Sequence, residues 1–170
     1  KIVSIAETAQ KAGIEMLVLD DGWFGKRNDD TTSLGDWFVD KNKLPNGIEG
    51  LAKRVTDIGM KFGLWFEPEM VSPDSDLYRA HPDWCLHVKN RESSLGRHQL
   101  ILDLSRADVC DYIVEFMTRI LKSAPISYVK WDMNRNMSCV GSAELDAARQ
   151  PEVYHRYMLG LYDVLERIMS

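Results

Sequence analysis

The sequence contains no apolar run long enough to cross a membrane. A membrane-spanning helix needs about 20 consecutive apolar residues, whereas the longest apolar runs here, such as residues 16–19, are far shorter. The start of the sequence also lacks the basic segment, apolar core and cleavage site of an export signal. We therefore predict no membrane partner and no export signal within these residues.

Cysteine is scarce as well, which limits the compartment and the chemistry. The three cysteines, Cys85, Cys110 and Cys139, are odd in number and widely spaced. That pattern fits neither a disulfide framework nor the spacing of zinc ligands. We interpret these side chains as free thiols in a reducing compartment, which predicts a cytoplasmic location.

The sequence has fewer positively than negatively charged side chains. Lys and Arg total 21 against 26 Asp and Glu, which gives a formal net charge of −5. Nucleic acid binding needs a basic surface that displaces counterions. We therefore expect no nucleic acid partner.

The composition that remains is that of an ordinary globular protein. Of the 170 residues, 45% are hydrophobic and 28% are charged, so one domain is the default expectation. The sequence begins at Lys1 and has no initiator methionine. We expect it to be cut from a longer protein.

Helical and strand-like segments alternate along the sequence. Hydrophobic periodicity predicts four amphipathic helices, at about residues 2–12, 48–60, 105–125 and 151–169. Short apolar runs predict buried strands at residues 14–19, 61–66, 99–102 and 126–131. Gly13 and Gly59 are expected to end the helices before two of these strands, and Ser105 is expected to cap the third helix in a capping box with Asp108. The alternation predicts an α/β fold with a parallel sheet covered by helices.

Charged and aromatic side chains follow the strands, whereas the connections from helix to strand are short. Carboxylates, Trp and Lys gathered at the carboxyl ends of parallel strands are typical of a (β/α)8 barrel enzyme, whose active site is built there. A whole barrel takes about 250 residues. We therefore predict a partial (β/α)8 TIM barrel, about the first half, with residues 1–170 as one fragment of a catalytic domain and no second domain.

The last predicted strand carries the strongest candidates for chemistry. Strand alternation places Lys130 and Asp132 on one face, where a carboxylate beside an ammonium group stays ionised as a nucleophile must. A purely structural ion pair is equally compatible with the spacing. Glu67 and Glu69, which flank Pro68, compete with Asp132 for a catalytic role.

Other strand-end residues leave several interpretations open. Asp20 and Asp21 could bind sugar hydroxyls, ligate a cation or cap a turn, and the four histidines form no cluster that favours a metal. Trp65 could offer its flat face to a sugar or lie in the core. Arg97 is either a solvated cation in a loop or a residue whose guanidinium N–H groups bind sugar hydroxyls.

Six motifs, in order along the sequence, closely resemble the α-galactosidases of glycoside hydrolase family 36. They are DDGWFG at 20–25, LGDWF at 34–38, WFEPEM at 65–70, HPDW at 81–84, LDLSR at 102–106 and YVKWDMNR at 128–135. Each motif is short, but together they extend over almost the whole sequence.

The resemblance implies a (β/α)8 domain that removes terminal α-linked galactose from melibiose and raffinose-type oligosaccharides, with retention and without a metal or other cofactor. By position in its motif, Asp132 matches the family nucleophile. The residues that match the family's galactose-binding positions are Asp20, Asp21, Trp65, Arg97, Lys130 and Asn134. We expect α-galactoside oligosaccharides as the substrates and a homo-oligomeric parent protein.

One part of the family pattern is missing from the sequence. Retaining hydrolysis needs a second carboxyl group about 5 to 5.5 Å from the nucleophile, and none of the carboxylates after Asp132 matches the family's acid/base motif. We therefore expect the parent protein to be the enzyme and this chain alone to be almost inactive. The alternatives are a galactosyltransferase of the raffinose or stachyose synthase type, a non-catalytic carbohydrate-binding fragment, and a metal-dependent barrel enzyme using Asp20 and Asp21.

Overall fold

The computed structural model describes all 170 residues and contains five α-helices, two short 3-10 helices and five strands. The helices are α1 (Ile2–Lys11), α2 (Gly47–Asp57), α3 (Asp76–Ala80), α4 (Ala107–Ser123) and α5 (Val153–Met169). The strands are β1 (Met16–Leu19), β2 (Lys61–Phe66), β3 (Met70–Val71), β4 (Leu100–Ile101) and β5 (Tyr128–Trp131). The four predicted helices are confirmed within a few residues, and α3 and β3 are additions that the periodicity did not indicate.

A three-stranded parallel sheet forms the centre of the fold. Its order is β1-β2-β5, with Leu19 beside Leu64 and Trp65 beside Lys130. Parallel neighbours require crossover connections, and helices supply them here as predicted. The predicted α/β class is confirmed.

The run at residues 99–102 does not belong to this sheet, so that part of the prediction was wrong. Only Leu100 and Ile101 form a strand, and they pair antiparallel with Met70 and Val71. The chain turns after β2, which brings β3 to β4 outside the parallel sheet. A short apolar run such as residues 100–102 indicates a buried strand but carries no information on its partner or direction.

The predicted ends of two helices are confirmed, and one predicted helix cap is wrong. Gly13 and Gly59 both have positive φ, at 87° and 85°, where glycine avoids the strain of a side chain. Helix α4 begins without a side-chain cap. The hydroxyl and backbone N–H of Ser105 both donate to Asp103 Oδ1, so Ser105 belongs to a turn before the helix.

An aromatic cluster fills the core beneath the carboxyl ends of the strands. Its rings lie within about 6 Å of their neighbours and belong to Trp23, Phe24, Trp37, Trp65, Phe66 and Phe116. Trp37 comes from the long segment between β1 and α2, and its ring stacks on Phe116 of α4. Aromatic burial of this kind stabilises the packing of the loop segments against the helices.

Helix α5 packs closely against the turn before α4. Gly160 makes this possible, because a Cβ at that position would collide with the Leu104 carbonyl oxygen and lie 3.2 Å from Cys110 Sγ. The Cys110 thiol in turn donates to the Leu104 carbonyl. The small residue sets the distance between the two segments.

All three cysteines are free thiols, as predicted. Burial raises the pKa of Cys85 to about 12 and that of Cys110 to about 11, so both remain protonated at neutral pH. None of the helices combines the length and apolar character needed to cross a bilayer.

Candidate active site

Most of the predicted site residues lie at one edge of the parallel sheet. Asp20 follows β1, Trp65 lies near the end of β2, and Lys130 and Asp132 lie at the end of β5. Because the three strands are parallel and adjacent, their carboxyl ends meet at this edge. The backbone N–H of Asp132 donates to the Phe66 carbonyl at 2.8 Å, which fixes the start of the β5 loop against β2.

Lys130 and Asp20 form an ion pair across the sheet. Lys130 Nζ lies 3.0 Å from Asp20 Oδ2, and both side chains are substantially exposed. The hydrogen bond to Asp20 raises the pKa of Lys130 above its usual value. The pair places a cation and a carboxylate together on an open face, where each retains free donors or acceptors for a ligand.

Asp132 is held by donors on two sides. The Trp65 indole N–H donates to Oδ2 at 2.9 Å, and the Met133 backbone N–H donates to Oδ1 at 3.0 Å. Burial alone would raise the pKa of Asp132, but these hydrogen bonds, one from Asn134 and the charge of Lys130 together lower it. Asp132 is therefore ionised at neutral pH.

The structure gives Trp65 a different position from the exposed platform considered above. Its ring is only 2% exposed and lies nearly parallel to Phe24, at 8° and 6.2 Å. The face of the ring is therefore part of the core, and the indole N–H is the group that reaches the Asp132 carboxylate.

Glu67 and Asn134 form a second contact between β2 and the β5 loop. The Asn134 backbone N–H donates to Glu67 Oε1 at 2.7 Å, and the Gln99 side-chain amide donates to Oε2 at 3.2 Å. Glu67 is buried, and this burial raises its pKa, with a further rise from the charge of Asp132. Glu67 thus lies behind the site and does not face solvent.

Glu69 is buried, and its carboxylate is hydrogen-bonded within the protein. The Trp131 indole N–H donates to Oε1 at 2.7 Å, and the Tyr157 hydroxyl of α5 donates to Oε2. Burial raises the pKa of Tyr157, so the phenol remains a donor. Both Glu69 oxygens accept hydrogen bonds from these side chains, so Glu69 ties α5 to the sheet and has no carboxylate oxygen without a partner.

Asp21 is held by Arg27, a residue that the sequence analysis did not identify. Arg27 Nε and Nη2 donate to the Asp21 carboxylate at 2.9 to 3.1 Å, and Nη1 donates to the Thr32 carbonyl at 2.9 Å. The guanidinium group is buried, whereas Asp21 is partly exposed. An arginine six positions after an aspartate in a loop has no diagnostic spacing, so the sequence offered no signal for this pair.

Arg97 is not joined to the other predicted site residues by a hydrogen bond or an ion pair. It is exposed and has a φ of 52°, in the left-handed region. Arg135 organises this loop instead, because its Nη1 donates to the carbonyls of Ser94 and Gln99. Arg97 therefore lies in a separate, solvent-facing loop. The other six predicted site residues lie together at the sheet edge: Asp20, Asp21, Trp65, Lys130, Asp132 and Asn134.

Three of the five carboxylates that follow Asp132 form ion pairs elsewhere. Glu144 pairs with Arg106 at 3.3 Å, Glu152 with Arg156 at 2.7 Å, and Asp163 with Arg167 at 3.0 Å. They lie on the loop before α5 or on α5 itself. No hydrogen bond or ion pair joins the later carboxylates to the strand-end residues.

A large cavity lies apart from these residues. It has a volume of about 1010 Å³ and lies between residues 78–93 and 140–150. No predicted site residue lines it. No group of three or more His, Cys, Asp or Glu side chains is arranged to hold a metal ion.

Comparisons with known proteins agree with the motifs. The Melibiase family profile matches residues 1–170. Alpha-galactosidase AgaA of Geobacillus stearothermophilus and alpha-galactosidase Mel36A of Lactobacillus acidophilus are 65% and 51% identical to the chain over 170 residues. Each alignment covers 100% of this chain and 23% of the relative, so the chain spans about a quarter of these curated relatives.

A solved structure gives the same result. The crystal structure of a doubly substituted GH36 alpha-galactosidase AgaA from G. stearothermophilus, in complex with raffinose, matches with a TM-score of 0.96 and 64% identity. The match covers 98% of this chain and 23% of that one. The resemblance to the α-galactosidases of glycoside hydrolase family 36 is therefore confirmed, and the chain belongs to the Melibiase family.

Proposed function

We propose that the chain supplies the nucleophile half of the active site of a retaining α-galactosidase. The observation that carries this proposal is the Asp132 carboxylate, ionised and held by Trp65 beside the Lys130–Asp20 ion pair at the end of the parallel sheet. A retaining glycosidase needs an ionised, positioned carboxylate to attack the anomeric carbon. The similarity to AgaA, which has been crystallised with raffinose, supports galactosides as the substrate class.

In this proposal Asp132 forms the galactosyl-enzyme intermediate. Asp20, Asp21 and Lys130 bind sugar hydroxyls, because their exposed carboxylate and ammonium groups have the required acceptors and donors. Trp65 lines the sugar site with its indole edge. Asn134 contributes to the site from the β5 loop. Arg97 would join it only if its loop closes over the sugar.

In this proposal the general acid and base comes from outside these residues, since no later carboxylate is bonded to the strand-end residues and three of them pair with arginines elsewhere. We further propose that the three-stranded sheet is an arc of a (β/α)8 barrel, in which β1 and β5 acquire further neighbours. The parent protein would hydrolyse terminal α-linked galactose from raffinose-type oligosaccharides. It would be a cytoplasmic homo-oligomer, and the free thiols support the location.

A chimera tests the proposal directly. The chimera is AgaA in which the aligned 170 residues are replaced by this chain. Since 65% of that segment is unchanged, we expect hydrolysis of p-nitrophenyl α-galactoside within roughly tenfold of AgaA, the loss that imperfect repacking would cause. Steady-state release of nitrophenol is the measurement.

The controls are AgaA itself and the 170-residue chain alone. The isolated chain is expected to release little nitrophenol, because it lacks a placed acid/base carboxyl group. A chimera that folds, by circular dichroism, but does not hydrolyse the substrate would contradict the proposed function.

Arg27 provides a second test, which concerns substrate binding. Replacing Arg27 with Lys in the chimera removes the planar fork that holds Asp21. Because Asp21 is proposed to bind a hydroxyl and not to react, we expect KM to rise roughly three- to tenfold while kcat changes less. Michaelis–Menten kinetics with p-nitrophenyl α-galactoside measure both constants.

Arg79→Lys is the matched control, because Arg79 is an exposed arginine paired with Asp74 and Asp76 away from the strand ends. It is expected to leave both constants unchanged. An unchanged KM in Arg27→Lys would show that the fork does not orient Asp21 for binding.

A further inference from the structure

We propose that Glu67 is a positioning residue for the reaction: its buried carboxylate holds the Asn134 backbone and thereby fixes the loop that begins with Asp132. This inference rests on the proposed function. Glu67 makes no contact with the substrate in this proposal and acts only through the β5 loop.

The first support is the geometry of the sheet edge. In the parallel ladder every second residue of β5 donates its N–H to β2, and the last such bond runs from Asp132 to the Phe66 carbonyl at 2.8 Å. The next donor in this alternation is Asn134. Its N–H meets Glu67 Oε1 at 2.7 Å, so a side-chain oxygen continues the ladder past the end of β5.

The second support is the position of Asp132 between two fixed points. Its own N–H is bound to β2, and two residues later the chain is bound again at Asn134. The Asp132 carboxylate is meanwhile held by the indole of Trp65. Without Glu67, the backbone hydrogen bond at Asn134 would be lost. Asp132 would then be fixed on only one side, by its own N–H bond to Phe66.

The third support is the energetic cost of this carboxyl group. Glu67 is 1% exposed and forms no ion pair, and its donors, the Asn134 backbone and side chain and the Gln99 amide, are all neutral. Burying a carboxyl group without a cation is unfavourable relative to an apolar residue of the same size. Filling space therefore does not explain why this position carries an acid.

Two substitutions of nearly equal volume separate positioning from packing. Glu67→Gln keeps an oxygen that can accept from the Asn134 N–H. Its new amide N–H would face Gln99, whose Oε1 has no partner and can turn to accept it. Glu67→Met fills the same space but provides no acceptor for Asn134.

We expect Glu67→Met to lower kcat of the chimera roughly tenfold to a hundredfold, because displacing a catalytic group by about 1 Å can have an effect of that size. Glu67→Gln is expected to stay within about threefold of the parent chimera, since the acceptor is retained. Hydrogen exchange by mass spectrometry on a peptide containing Asn134 should be faster in Glu67→Met and unchanged in Glu67→Gln.

Gln99→Ala is the matched control, because it removes the other buried partner of Glu67 but leaves the Asn134 contact intact. It should keep kcat within about threefold. The inference is overturned if Glu67→Met matches the parent, if the Gln and Met variants lose activity equally, or if Gln99→Ala loses as much as Glu67→Met. A folded chimera without activity would refute the proposed function, whereas the exchange of the Asn134 amide would still decide whether Glu67 holds the loop.

Discussion

Asp132→Asn in the chimera is expected to reduce kcat for p-nitrophenyl α-galactoside at least about a thousandfold, because an amide cannot form the glycosyl-enzyme intermediate. Asparagine has the same shape as aspartate. Its amide oxygen can still accept from the Trp65 indole or the Met133 N–H, so the loop should keep its position. The loss would therefore report on nucleophilicity. Steady-state kinetics over a wide enzyme concentration range are the measurement.

The control for this variant is Asp163→Asn on α5, which removes an exposed carboxylate paired with Arg167. It should leave kcat unchanged. The lowered pKa of Asp132 adds a pH criterion. The nucleophile should stay ionised to a lower pH than an ordinary aspartate, so the loss of activity on acidification should shift in the same direction. Turnover by Asp132→Asn close to that of the parent chimera would refute its role as nucleophile.

Gly160→Ala in the 170-residue chain is expected to lower the free energy of unfolding by about 2 to 3 kcal/mol, as overpacking in a core does. In an exposed helix the same change would stabilise by up to about 1 kcal/mol. Here the new methyl group would meet the Leu104 carbonyl oxygen, and a backbone atom cannot move aside by changing rotamer. Thermal unfolding followed by circular dichroism should show a Tm lower by roughly 5 to 10 °C.

Leu159→Ala, at the neighbouring and exposed position of α5, serves as the comparison. Its effect should stay within about 0.5 kcal/mol, as for most surface substitutions. A higher Tm for Gly160→Ala would mean that helix propensity outweighs the contact with Leu104 and that α5 does not pack as described.

The sequence was sufficient to predict the three strands of the parallel sheet and the charged residues at their ends, although it also assigned residues 99–102 to that sheet. β2 and β5 are short apolar runs between amphipathic helices, and strand alternation correctly placed Lys130 and Asp132 on the same side of β5. Asp20 lies at the end of β1 and meets Lys130 of β5 across the end of β2, the strand between them. Local patterns were enough for these predictions because the repeat of side-chain direction along a strand or a helix depends only on residues close in sequence.

The residue roles that the sequence did not reveal depend on contacts between distant segments. Arg27 reaches Asp21 only because the loop folds back on itself, and Glu67 meets Asn134 only after β2 and β5 have paired. The burial of Trp65 depends on the aromatic rings that the loop and α4 bring to it. No spacing rule connects residues on separate elements, so such roles were not predictable from local patterns.

The long sequence separations within the site also bear on how fast it forms. Lys130 and Asp20 are 110 residues apart, and Trp65 and Asp132 are 67 residues apart. Contacts between distant residues require loop closures whose entropy must be lost before the contact stabilises the chain, which slows folding. The helices can form early from local contacts, whereas Asp132 meets its partners only when β5 joins β2. We therefore expect the site to be among the last regions to become ordered during folding.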